Sequence, residues 1–383
     1  MDAVSRAKVS ALLKRDEARE RDEPPEIAPS KGQRTKQPYV LDDLVDVAPA
    51  GPAAAALDGV VLVTKDDQVH LAPLSGTSGS QRPVPTPVAA IDVDAKALVA
   101  RARGPAVVNH FAYWVSGSRL LRQSITGGSV EVLANDARAY TQVAGASNAG
   151  DAPKPAAVAY IGTRPNDPSA LVARLWVEGA GTQNLSPDGT AANTVTLVKR
   201  QNDWLALFLE ARTGMSPLHA RAIVFDNTGA KLGNDFIAWV AGSAQPMTIV
   251  RALSDEKHTW ALLPIERDIS RFGLARVTVT DASRTETEVT WRDYPNGVDP
   301  APVATAEVCG RPTVLYSRPG SAALHAPQEL HLAAVDPNGL SPSTQVGSSR
   351  RYSDVSIAAL SNGALIVFVA DHRTWARRLR CTR

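Results

Sequence analysis

Short apolar runs, each closed by a basic residue and a few turn formers, recur along this chain. Ala159-Tyr160-Ile161-Gly162-Thr163-Arg164, Leu207-Phe208-Leu209-Glu210-Ala211-Arg212 and Leu262-Leu263-Pro264-Ile265-Glu266-Arg267 follow one plan. Thr313-Val314-Leu315-Tyr316-Ser317-Arg318 and Ile366-Val367-Phe368-Val369-Ala370-Asp371-His372-Arg373 follow it too. Fainter copies place Lys65 after Val60-Val61-Leu62-Val63 and Arg119 after Ala112-Tyr113-Trp114-Val115. Successive basic positions lie 54, 45, 48, 55, 51 and 55 residues apart. Such short runs, bounded by Gly, Asn, Asp and Pro, read as strands rather than helices. A strand repeat of that period predicts a ring or stack of small sheets.

The clearest unit runs from Thr194 to Val240, as four strands over Thr194–Lys199, Trp204–Glu210, Leu218–Phe225 and Phe236–Val240. Turns at Gln201-Asn202-Asp203 and Asp226-Asn227-Thr228-Gly229 supply the residues that left-handed backbone needs. The final unit has only three strands, Asp354–Leu360, Ala364–Ala370 and Thr374–Cys381, and no chain left for a fourth. Tyr39–Val45 is expected to complete it, which closes a ring and removes exposed sheet edges.

This pattern resembles a β-propeller over about residues 39–383: all-β, with four-stranded antiparallel blades, seven by this count. Six remains open, because residues 75–140 are poorly patterned. The Gly-His and Trp-Asp pairs of WD40 repeats, the kelch pattern and the Asp-box of sialidases are absent, so no family's functional residues are carried over. The seven tryptophans fall in strands or at strand ends, where packing between blades accounts for them.

Residues 1–38 are expected to form a separate leader. Val4, Ala7, Leu12 and Leu13 punctuate a charged helical stretch that Pro24 and Pro25 stop, and a polar linker follows. Lysines and arginines interrupt any apolar core there, so no secretory signal is read as written. Localisation stays open between cytoplasmic, if Met1 is the native start, and periplasmic or extracytoplasmic, if a signal was removed. No apolar run reaches the 18 or so residues of a membrane span. A net charge of +2, from 41 basic and 39 acidic residues, argues against a nucleic-acid partner. Cys309 and Cys381 cannot make a zinc site alone. A pairing would favour an oxidising compartment, but two unlinked thiols are the plainer expectation.

In a propeller, the loop between the second and third strands of every blade shares one face with the connections between blades. The basic corners would then share that face. Candidate ligand-binding residues are Arg164, Arg212, His219, Arg267, Arg318 and Arg373, since Arg grips carboxylate or phosphate with two parallel hydrogen bonds. Against this, arginines at strand ends also cover apolar edges or pair with neighbouring acids. The expected function is a non-enzymatic binding or assembly module whose basic face takes a protein partner or an anionic glycan. The alternative is a glycoside hydrolase or lyase with carboxylates on the loops near Glu210 and Glu266, His219 being a possible base. No cofactor or metal site is read: Asp92 and Asp94 begin like a calcium loop, but Lys96 stands where an oxygen ligand belongs. His325 and His331 flank a proline-containing turn, with no assured common face.

Overall fold

Each repeat unit folds as an antiparallel sheet. The computed structural model describes residues 39–47, 53–55, 60–65, 68–73, 86–90, 106–138, 143–145, 155–187, 189–200, 203–212, 219–240, 251–254, 259–263, 271–281, 284–293, 304–319, 328–336, 339–341, 343–349, 352–370 and 373–382. The expected leader helix lies outside the described residues.

Strand β1 (Tyr39–Val47) precedes a first sheet of β2 (Ala53–Ala55), β3 (Val60–Lys65), β4 (Gln68–Pro73) and β5 (Thr86–Ala90). A second sheet holds β6 (Ala106–Val108), β7 (Phe111–Ser116), β8 (Arg119–Ser124) and β9 (Glu131–Ala134). A third holds β10 (Ala144–Gly145), β11 (Ala157–Arg164), β12 (Asp167–Val177) and β13 (Gly181–Asn184). The fourth is β14 (Thr190–Lys199), β15 (Trp204–Arg212), β16 (His219–Phe225) and β17 (Lys231–Val240). The fifth is β18 (Arg251–Ser254), β19 (Thr259–Leu263), β20 (Arg271–Asp281) and β21 (Arg284–Asp293). The sixth is β22 (Ala304–Val308), β23 (Arg311–Pro319) and β24 (Gln328–Asp336), with both β25 (Gly339–Leu340) and β26 (Thr344–Ser349) on the far edge of β24. The last runs β27 (Tyr352–Leu360), β28 (Gly363–Ala370) and β29 (Arg373–Cys381), and then takes β1 as its outer strand.

The sheets form a propeller. The first strands of successive sheets lie side by side, and β27 lies beside β2. The expected closure is present: Tyr39 pairs with Cys381 and Val47 with Thr374. A register shift between Leu41 and Leu44 bulges the strand at Asp42-Asp43. On blade number the description is narrower than expected. Five blades, not seven, are described with packed side chains. The sheets β2–β5 and β18–β21 are described by backbone pairing alone.

Alternation within the strands builds the cores between blades. On β11, Ala157, Ala159 and Ile161 pack with Leu175, Trp204, Phe208 and Phe225. Its alternate residues Val158 and Tyr160 pack the other way, with Val108, Tyr113, Leu120 and Trp176. A strand buried on both faces therefore reads as a continuous apolar run. Each such large side chain stabilises the fold by about 1.5–3 kcal/mol. A third core joins Val308, Leu315, Leu330 and Leu332 to Ile357, Ile366, Phe368 and Leu379, across the sixth and last sheets.

One expectation on thiols is corrected. Cys309 and Cys381 are joined as a disulfide, with Cα atoms 5.6 Å apart. The cause is ring closure, which brings the β22–β23 turn against the end of β29.

Candidate functional site

The candidate site is the end of the ring where second strands hand over to third strands. Lys65 ends β3, Arg119 opens β8, Arg164 ends β11, Arg212 ends β15, Arg318 lies one residue from the end of β23, and Arg373 opens β29. Arg267 lies outside the described residues, as do Glu266, His325, Asp92 and Asp94. For Arg212, His219 and Arg318 the backbone position is described: Arg212 pairs with Thr190, His219 with Glu210, and Arg318 with Glu329. Arg119 is half-buried and Arg373 is exposed.

Arg164 is held by the protein itself. Its Nη2 donates to the Thr190 carbonyl at 3.1 Å and the Pro187 carbonyl at 3.5 Å, tying the third sheet to the start of β14. A register shift between Thr163 and Arg164 breaks the strand's alternation just ahead of this contact.

Below the β15–β16 loop, Glu210 corrects the expectation of a loop carboxylate. Its side chain is fully buried within β15, and Arg221 Nη2 donates to its Oε1. The two sit on one face because Phe208 pairs with Arg221 in register. A carboxylate sealed in this way against a guanidinium is not presented to a substrate. Among the described residues, therefore, nothing supports the hydrolase alternative at this position.

A second buried network flanks the same end of the third sheet. Tyr160 Oη donates to Asp136 Oδ1 at 2.8 Å, and Arg174 Nε forms an ion pair with Asp136 Oδ2 at 2.8 Å. Arg174 Nη2 donates to the Thr163 carbonyl, and the Asp136 carbonyl accepts from Thr163 N at 2.7 Å. The connection from β9 to β10 is thereby fastened onto β11. Burial, and then the Asp136 charge, push the Tyr160 phenol far above its ordinary range. Tyr113 and Tyr39 are likewise raised, mainly by burial. Neutral phenol is thus favoured in the folded state. Its contribution is intact below the unfolded value of about 10 and is lost as pH rises past it. Thermal melts are expected to hold steady to about pH 10 and then fall. Tyr160→Phe should flatten that fall, and an unchanged slope would show that Tyr160 does not set it.

At the other end of these sheets, Arg122 Nε meets Glu131 at 2.6 Å and its Nη1 meets Glu178 at 3.0 Å. Its guanidinium lies over Phe111 (4.8 Å) and Trp176 (5.3 Å). On the sixth sheet the buried His331 ring is held between Ser343 Oγ (3.1 Å) and Glu329 Oε2 (2.8 Å), and stacks on Tyr316. The sequence did carry a signal for these groups. Arg174, Arg221 and His331 each interrupt an apolar stretch of strand, a position where a charged or polar group requires a partner. Among the described residues, no group of three His, Cys, Asp or Glu side chains could hold a metal ion. No helix among them is long and apolar enough to cross a membrane.

No family model matches the chain, and no curated protein matches it. Among solved structures, the chain is similar to the N-terminal domain of Nup159 (8% identity, 88% of this chain and 91% of that one, TM-score 0.49). It is also similar to a protein of unknown function from Dyadobacter fermentans DSM 18053 (10% identity, 91% and 100%, TM-score 0.49). A third is a subtype N10 neuraminidase-like protein of A/little yellow-shouldered bat/Guatemala/060/2010 (8% identity, 71% and 89%, TM-score 0.46). Likenesses this faint carry no functional argument; the fold rests on the strand pairing.

Proposed function

We propose that this chain is a binding or assembly module: a ring of four-stranded blades over residues 39–383, with a leader over residues 1–38, whose loop face takes an acidic protein segment. The supporting observation is the recurrence of a basic residue at the junction of second and third strands in sheet after sheet. Arg212, Arg267, Arg318 and Arg373, with His219 beside them, form the binding sector. Arg164 serves mainly to join neighbouring sheets, since its guanidinium already holds two carbonyls. Propellers commonly present loop faces to partners, and loops tolerate the variation that recognition needs.

Charge pairs at a solvated face give modest energies that salt screens within about 8 Å at physiological ionic strength. Replacing Arg212 and Arg267 together with serine is expected to weaken an acidic peptide about tenfold, about 0.7 kcal/mol for each arginine. Global stability should change by less than about 0.5 kcal/mol per site. A screen of acidic peptides against wild type and the double variant, at low and high salt, tests this. Equal binding by both proteins, or binding indifferent to salt, would remove the reading. Selective capture of acidic glycans alone would replace the protein partner with a carbohydrate one.

A further inference from the structure

Three contacts converge where the ring is closed. Cys381 is the last residue of β29 and lies opposite Tyr39, the first residue of β1. Tyr39 Oη donates to Thr344 Oγ1 (3.2 Å) on the sixth sheet. The disulfide runs from Cys381 to Cys309 on that same sheet. Cys309 and Gly310 form the two-residue turn between β22 and β23, with φ of 54° and 71°. Both values are left-handed, as this tight hairpin requires, so Cys309 is presented by a rigid corner. Cys381 N also donates to the Asn362 carbonyl at 3.2 Å.

β1 comes from the opposite end of the chain and, among the described strands, pairs with β29 alone. Any loosening of β29 therefore loosens the closure. We propose that the Cys309–Cys381 disulfide is a redox-sensitive clasp for ring closure, and that the chain works in an oxidising compartment, where such bonds form and persist. Both cysteines are half-buried rather than sealed in the core. Attack by a dithiol breaks the S–S bond. Two electrons and two protons pass to the cysteine sulfurs, leaving two thiols, and the dithiol becomes a cyclic disulfide. The end of β29 is then fixed only by its hydrogen bonds and by the core it shares with the sixth sheet.

The test uses the full chain, purified without reductant, and compares it before and after dithiothreitol. Differential alkylation should find no reactive thiol before reduction and two after. Hydrogen exchange should then quicken about tenfold in Tyr39–Val47 and Arg373–Cys381, while Ala157–Arg164 and Trp204–Leu209, on remote sheets, change less than about twofold. The C309S/C381S double variant should reproduce the reduced pattern. Two alkylatable thiols in the untreated protein would overturn the proposal. So would an unchanged seam, or a loss of protection spread evenly over all sheets.

Discussion

Replacing Glu210 with alanine is expected to cost about 3–5 kcal/mol of stability, because it breaks a buried ion pair by removing the carboxylate from the Arg221 guanidinium. Glu210 is fully buried, and Arg221 is nearly so. Around them stand Phe208, Ile223 and Phe225 of the core between the third and fourth sheets. Losing the carboxylate of a buried ion pair in such surroundings leaves the cost of lost hydration less well repaid. The paired change, Glu210→Leu with Arg221→Met, is expected to restore most of the loss, since well-packed apolar groups of similar volume commonly match or exceed a buried ion pair. Urea denaturation of the wild type, the single variant and the double variant measures both. A single variant within 1 kcal/mol of wild type would show that the pair is not energetically sealed. A double variant no better than the single would show that the charges do more than neutralise each other.

Gly363→Ala is expected to be of similar severity for a different reason. Gly363 opens β28 after the turn from β27, with φ of +143°. A Cβ built there would sit 1.8 Å from the Leu379 carbonyl oxygen on β29. No rotamer relieves that clash, because the backbone fixes where the Cβ sits and the oxygen it meets is itself backbone. Strain at a dihedral reserved for glycine and overpacking against a neighbouring strand each cost about 1–3 kcal/mol. A combined loss of about 3–5 kcal/mol is expected, concentrated in the last sheet. Gly179→Ala makes the comparison, since it shares a positive φ but has open space at its Cβ; its loss should stay near the strain cost alone. Equal losses at the two sites would show that the contact with Leu379 yields.

What the sequence revealed and what it hid separate along physical lines. The missing strand of the last unit was legible, because an incomplete sheet at one terminus and an orphan strand at the other have one economical solution. The turn at Asp226 was legible as well: its carboxylate accepts from Thr228 N (2.8 Å) and Ala230 N (2.9 Å), and Gly229 takes φ of +85°. Such contacts span four residues and are written locally. The disulfide was not, since sequence separation says nothing of distance and the two cysteines meet only after the ring has closed. Arg164 shows a third case. Its place at a strand end followed from the repeat, but the register shift after Thr163 interrupts period-two alternation. Bulges re-aim side chains in ways that hydrophobic pattern does not record. Glu210 likewise read as a loop acid beside an arginine, when its partner lay on the next strand.

The pairing of β1 with β29 also sets an order of events during synthesis. Tyr39–Val47 leaves the ribosome first among the ring's strands, yet its ladder partner is the last to be made. At about 5–20 residues per second the wait is roughly 15–70 s. Throughout it, a nine-residue strand carrying exposed Val40 and Leu44 stands without a neighbour. Asp42, Asp43 and Asp46 punctuate that strand, and Asp42 finds Arg380 only once the last sheet exists. Charges and a bulge on a waiting edge discourage premature pairing with another nascent chain. Asp42 and Asp43, which interrupt the finished ladder, thus also keep the growing chain's edge charged.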